Sequence, residues 1–189
     1  MREKLIKQLE TYKAYNEQEE CDRKLIIRML KSEADIFYRT CEPAHVTVSG
    51  WVVNHDRTKT IMAYHNIYRS WSWLGGHADG NEDLPSVALK EVSEECGAQN
   101  CQLVSDDILS VEVLTVDGHV KKGKYVSSHL HLNITYMIEV DETETIRKKE
   151  DENSDVKWFL FEEALEASNE EWFRERIYPK LIQKSKYGI

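Results

Sequence analysis

The sequence predicts an α/β protein, a sandwich in which a mixed sheet lies between helical layers. Three observations carry that prediction. Apolar residues recur with a period of two through 45–53, 59–65, 108–116, 125–140 and 156–161, as strands require. Between them the second half of the stretch 75–98 changes to the helical period. Further helical patterns stand at both ends, so strands flanking a helix are wrapped in helices around one core.

Composition narrows the class. The 189 residues suit one domain with extensions, and a 41% hydrophobic content with a mean hydropathy of −0.59 describes a soluble globular chain. No apolar run approaches the ~20 residues of a membrane span. The opening MREKLIKQLE mixes charges of both signs at helical spacing, unlike a secretory signal, so a cytoplasmic location is expected. A net charge of −9 argues against broad nucleic-acid binding. It leaves room for a small phosphorylated partner, because bound cations reverse the local field. Cys21, Cys41, Cys96 and Cys101 lack CxxC pairing and read as reduced thiols.

In chain order, residues 2–15 and about 20–38 read as two helices. Leu5, Leu9 and Tyr12 line the first; Leu25, Met29, Ile36 and Ile26, Leu30, Phe37 line the second. Asn16 breaks the pair and Pro43 ends a helical N-terminal extension, residues 1–43. It reads as a packing arm, with a substrate lid or a homodimer contact as alternatives. Strand 45–53 pairs with 59–65 across the turn NHDRTK, and Trp71 and Trp73 bracket a short strand running into Gly75-Gly76. After the helix come strand 108–116, a turn at Lys121-Lys122-Gly123-Lys124, and a single long strand over 125–140. On that strand Leu130, Leu132, Ile134 and Tyr136 face one way and His129, His131, Asn133 and Thr135 the other. An acidic loop and strand 156–161 complete a central domain, 44–168. A C-terminal helical segment, 169–189, packs on it, with Pro179 kinking or restarting its helix.

The chemistry concentrates on the helix in the second half of 75–98. With Glu91 as reference, Glu95 sits at about +40° and Glu94 at about −60°, so three carboxylates share one arc. Pro85, Leu89, Val92 and Cys96 form an apolar stripe. Like charges at these spacings cost roughly 0.2–0.5 kcal/mol per pair, and a hard divalent cation bound by oxygen ligands offsets that repulsion.

Gly76, five residues, Glu82, seven residues, then Lys90-Glu91-Val92-Ser93-Glu94-Glu95-Cys96-Gly97-Ala98 resembles the Nudix box, G-x5-E-x7-R-E-U-x-E-E-x-G-U. Seven of its nine defined positions match; Lys90 replaces Arg, and Ala98 replaces a bulky aliphatic residue. The resemblance implies a Nudix-like α/β/α sandwich over 44–168 and hydrolysis of a diphosphate linkage in a nucleoside diphosphate derivative. It implies that the Gly75 carbonyl joins Glu91, Glu94 and Glu95 around Mg²⁺ or Mn²⁺, with Glu94 the first candidate for base. It also implies that Glu82 pairs with Lys90 to orient the glutamates, a pair weakened by the loss of arginine's planar fork. Gly97 suits the stop of the helix.

The remainder of the substrate is less legible. His129 and His131 are candidates for a polar pocket wall, a metal or phosphate contact, or simply a hydrogen-bonded strand face; His77 is a candidate substrate contact. Trp73 and Trp158, with Trp51 and Trp71, offer base stacking or core packing. Glu142, Glu150 and Glu152 are candidates for a further ligand. Position 114 is Leu and 113 is Val, so neither the Tyr associated with dinucleoside polyphosphates nor the Pro associated with ADP-ribose derivatives is present. Two alternatives stand beside hydrolysis: a non-catalytic nucleotide-sensing module, and isopentenyl-diphosphate isomerase-like chemistry, which needs a placed Cys and acid.

Overall fold

Strand β1 (Ala44–Val53) is buried at all ten residues and forms the axis of a mixed sheet of eight strands. A computed structural model describes residues 1–66, 69–121, 123–149 and 153–187. On one side β1 runs parallel to β9 (His129–Glu139), from Ala44 opposite Leu130 to Val53 opposite Glu139. On the other it meets β4 (Leu74–His77) antiparallel along its first half and β2 (Lys59–His65) at its end. The remaining strands, β3 (Ser70–Ser72), β5 (Gln102–Leu103), β6 (Ser110–Val116) and β10 (Asn153–Leu160), pair with β2 or β9. A separate hairpin joins β7 (His119–Lys121) to β8 (Lys124–Val126).

Alternation along β1 serves two cores. Val46, Val48 and Val52 face helices α1 (Arg2–Thr11), α2 (Glu17–Ser32) and α3 (Leu84–Cys96), which bring in Leu5, Leu9, Ile26, Leu30, Ala88 and Val92. Trp51 and Val53 face the other layer, α4 (Phe161–Ala167) and α5 (Tyr178–Tyr187), with Phe161, Tyr178 and Leu181. The α/β/α sandwich predicted from the sequence is the architecture found. Gly50 sets its tightest contact: a Cβ there would stand 2.8 Å from Ile138 Cδ1 and collide with Val92 Cγ2, so α3 seats directly on β1.

Several elements differ from the sequence expectation, each for a local reason. Helix α2 ends at Ser32, not 38; Ile36 and Phe37 are buried all the same, in turns. Asn16 is the N-cap of α2, its side chain accepting the Glu19 N–H at 2.9 Å. The strand at Trp71–Trp73 is split into β3 and β4, which pair with different neighbours. The long strand 125–140 is broken at Ser127-Ser128, where Ser128 Oγ accepts the Gly118 N–H, so that β8 folds back onto β7. Lys122 of the predicted turn lies outside the described residues. Pro179 follows a π-helical stretch, Phe173–Ile177, through which the helix accommodates the missing N–H.

Beneath β6 lies an ion network of α2 and α5. Lys180 stands 3.1 Å from Glu19 and 2.9 Å from Glu112, and Lys184 stands 2.9 Å from Glu19; the four side chains are at most 2% exposed. Burial pushes the Glu19 carboxyl up, but Lys180 and Lys184 outweigh it and hold it at about 2. A carboxyl depressed on folding contributes stability above its unfolded pKa and loses it as pH falls through the folded value. Glu19→Gln leaves two buried lysines short of a partner and should cost about 3–5 kcal/mol at neutral pH by urea unfolding. The gap from wild type should narrow as pH falls from about 4.5 towards about 2, where Glu19 protonates.

Candidate active site

Helix α3 begins after Asp83 with Pro85 in its first turn, where a missing N–H costs nothing. It ends at Gly97, whose φ of 71° and ψ of 5° are the left-handed stop expected from the sequence, with its N–H bonded to Ser93 O at 2.9 Å. Leu84, Ala88, Val92 and Cys96 are its core face, while Pro85 and Leu89, placed on the stripe by the sequence, sit at the margin. That rotation draws Glu95 inward to 8% exposure and leaves Glu94 exposed.

Two of the three glutamates, Glu91 and Glu95, meet β4 at its glycines. Glu95 Oε2 accepts the Gly75 N–H at 2.9 Å. Glu91 lies flat against Gly76, where a Cβ would stand 2.5 Å from its Oε2. A Cβ on Gly75 would fall 2.8 Å from Ser49 Cα and collide with the Val48 carbonyl. Neither position has room for a side chain, and this is what lets a strand backbone approach Glu91 and Glu95. Lys90 Nζ bridges Glu91 and Glu94 at 3.2 Å each, and Lys149 Nζ reaches Glu94 at 3.6 Å. Those carboxylates, Glu94 first and then Glu91, raise the Lys90 ammonium. Carboxylate oxygens held against a backbone cradle, here those of Glu91 and Glu95, are the donor type that suits a hard divalent ion such as Mg²⁺ or Mn²⁺.

Glu82 and Lys90 are not joined by an ion pair. Glu82 Oε2 instead accepts the backbone N–H of Arg2 at 2.8 Å, placing a carboxylate at the N-terminus of α1, where the helix dipole favours it. Lys90 is 61% exposed and turns to its own helix. Sequence spacing cannot see the N-terminal arm arriving at Glu82, nor Lys149 arriving at Glu94.

The other candidates fall elsewhere. His77, His129 and His131 meet on the sheet face opposite α3, with ring centroids 4.8–5.1 Å apart, and His45 from β1 completes the group. Only the parallel β1–β9 register, His45 opposite His131, reveals His45. Asn133 holds β1 through Thr47 and Ser49 at 3.1 and 3.0 Å and bonds Glu112 at 3.2 Å. Trp73 packs edge-on to Phe173 and Tyr178 in the second core; Trp51 stacks on Phe161 and Tyr178. Trp158 packs against the first core. Glu142 is held by Lys59 and Asn54 at 3.0 Å. Glu150 and Glu152 lie outside the described residues. Among the described residues, no helix is long and apolar enough to cross a membrane.

A family model described as NUDIX domain matches residues 43–181. No curated relative matches in sequence. Solved structures share the fold. A MutT protein from Methanosarcina mazei aligns at TM-score 0.54 and 17% identity, over 77% of this chain and 97% of that one. A C. elegans Ap4A hydrolase aligns at 0.52 and 15%, over 71% and 93%. A NUDIX-family hydrolase from Clostridium perfringens aligns at 0.51 and 21%, over 72% and 95%.

Two substitutions separate cradle from rim. Lys90→Ala, at an exposed ion pair, should change unfolding free energy by less than about 1 kcal/mol. Gly75→Ala, forced against the β1 backbone, should cost about 1–3 kcal/mol in the same urea titration.

Proposed function

We propose that this chain, which belongs to the NUDIX domain family, is a Nudix-type pyrophosphohydrolase that cleaves the diphosphate linkage of a nucleoside diphosphate derivative with Mg²⁺ or Mn²⁺. The observation that carries this reading is the glycine cradle of β4, which leaves no room for a side chain and against which Glu91 and Glu95 lie, with Glu94 beside them on α3. The substrate class is supported by the family and by fold likeness to a protein named as an Ap4A hydrolase.

Glu91 and Glu95, the two more buried carboxylates, would hold the metal, with the Gly75 backbone as a neighbouring donor. A divalent ion there neutralises phosphate charge and acts as a Lewis acid at phosphorus. Glu94, the exposed member at 42% accessibility, would accept a proton from an attacking water. Oxygen of that water bonds to phosphorus, the bridging P–O bond breaks, and its electron pair leaves with the departing phosphate. Lys90 and Lys149 stand 3.2 and 3.6 Å from the Glu94 carboxylate.

A phosphate-release screen over nucleoside triphosphates, nucleotide sugars and non-nucleotide diphosphates tests this. Turnover should require Mg²⁺ or Mn²⁺. Glu94→Gln should lower kcat by about 10²–10⁴-fold, the range for a lost general base, while Glu95→Gln weakens metal binding as well. Activity surviving both substitutions would refute the site. Clear ligand binding without turnover would convert the reading to a sensing module.

A further inference from the structure

We propose that His45, His77 and His131 form a second metal site, separate from the box glutamates, that takes a divalent transition ion of the zinc type. The three residues come from β1, β4 and β9, and one ring nitrogen of each lies within 4.8 Å of the others. His129 stands beside them, its Nε2 3.2 Å from His131 Nε2. Ligands on a tetrahedral zinc with Zn–N of about 2.0–2.1 Å are about 3.3 Å apart, so the three nitrogens, now within 4.8 Å, have a short way to close. Drawing them in takes ring rotations about χ2, which is a soft torsion for histidine.

His45 shows that the group is built for a ligand. It is 5% exposed, and its Nδ1 lies 3.3 Å from the Cys41 carbonyl. A carbonyl only accepts, so Nδ1 carries the proton and Nε2 presents a bare lone pair. That Nε2 is buried without a hydrogen-bond partner, an arrangement that costs free energy unless something fills it. His129 repeats the pattern, with Nδ1 2.8 Å from the Ser127 carbonyl. A backbone carbonyl that fixes the tautomer of a ligating imidazole is the usual outer partner of a histidine metal site.

The donor chemistry selects the ion. The group offers neutral imidazoles and no carboxylate, which suits Zn²⁺, Co²⁺ or Ni²⁺ rather than the oxygen-seeking Mg²⁺. The bidentate Arg39–Asp79 pair, at 2.7 and 2.6 Å, stands near the group. Geometry separates this site from the glutamates. On β4, Gly76 turns its Cα towards Glu91 while His77 faces the opposite side of the sheet.

The test uses chelator-treated full-length protein carrying Glu91→Gln, Glu94→Gln and Glu95→Gln. Calorimetry should find one equivalent of Zn²⁺ bound, Co²⁺ should give a tetrahedral d–d spectrum, and millimolar Mg²⁺ should not displace either ion. His77→Asn, at a partly exposed position, should weaken binding by more than the ~10–100-fold that loss of an outer-shell partner costs. It should also abolish the Zn²⁺-linked rise in melting temperature. In otherwise unsubstituted protein, the ring resonances of His45, His77 and His131 should shift on adding Zn²⁺, which needs no variant to fold. No Zn²⁺ binding in the triple variant, or binding unchanged by His77→Asn with unshifted rings, overturns the site. Hydrolysis plays no part in these readouts, so the outcome is independent of the phosphate-release screen.

Discussion

Ten consecutive residues of β1 pair in parallel with β9, and that register places the chemistry on both sides of the sheet. It sets His45 opposite His131 and Thr47 opposite Asn133 on one face, and Val46 opposite Leu132 and Val48 opposite Ile134 on the other. A slip of one residue would exchange the two faces and destroy both the apolar seat for α3 and the histidine group. The seat is shared: Gly50 admits Val92 of α3 and Ile138 of β9 to the same spot. Helix α3 is therefore fixed against the parallel pair itself, and its glutamates inherit their position from that contact.

Charge is handled differently on the two faces. Glu19, Glu112, Lys180 and Lys184 are dry and mutually compensated, so they fix α2 and α5 to β6 and have little freedom to bind anything else. The box carboxylates are graded instead, from the buried Glu95 through Glu91 to the exposed Glu94, with partners that are backbone or long lysines. Exposed lysine pairs are weak and easily exchanged for another cation. A fixed network thus braces the frame, and an exchangeable one occupies the face where phosphate chemistry belongs.

Much of this was legible in the sequence wherever the signal was local. The box spacing located α3, its cap at Gly97 and its three acids, because a helix converts sequence interval directly into angle. Alternation assigned the two faces of β9 from His129 to Tyr136. What escaped depended on chain segments far away. Glu82 was expected beside Lys90 and is met by the Arg2 backbone, 80 positions distant. His45 carried no motif and gained its neighbours only through a parallel register. Lys180 and Lys184 carry no local signal at all, and it is their pairing with Glu19 and Glu112 that makes them interior. The break at Ser127-Ser128 was hidden because alternation continues across it and the competing hairpin partner, β7, is three residues long.

The tripeptide Gly75-Gly76-His77 draws these strands together. In an extended backbone, successive residues address opposite faces, so three adjacent positions can serve two unlike sets of donors. Gly75 gives its N–H to Glu95 in the plane of the sheet, and Gly76 yields its Cβ space to Glu91. His77 then turns an imidazole to His45 and His131. Oxygen donors on one face and nitrogen donors on the other sort hard from borderline cations without any selectivity in the backbone between them. An ion held by the histidines would tie β4 to β1 and β9 immediately beside the glycine cradle, so its physical effect on the carboxylate face would be stiffness in the strand that the glutamates grip.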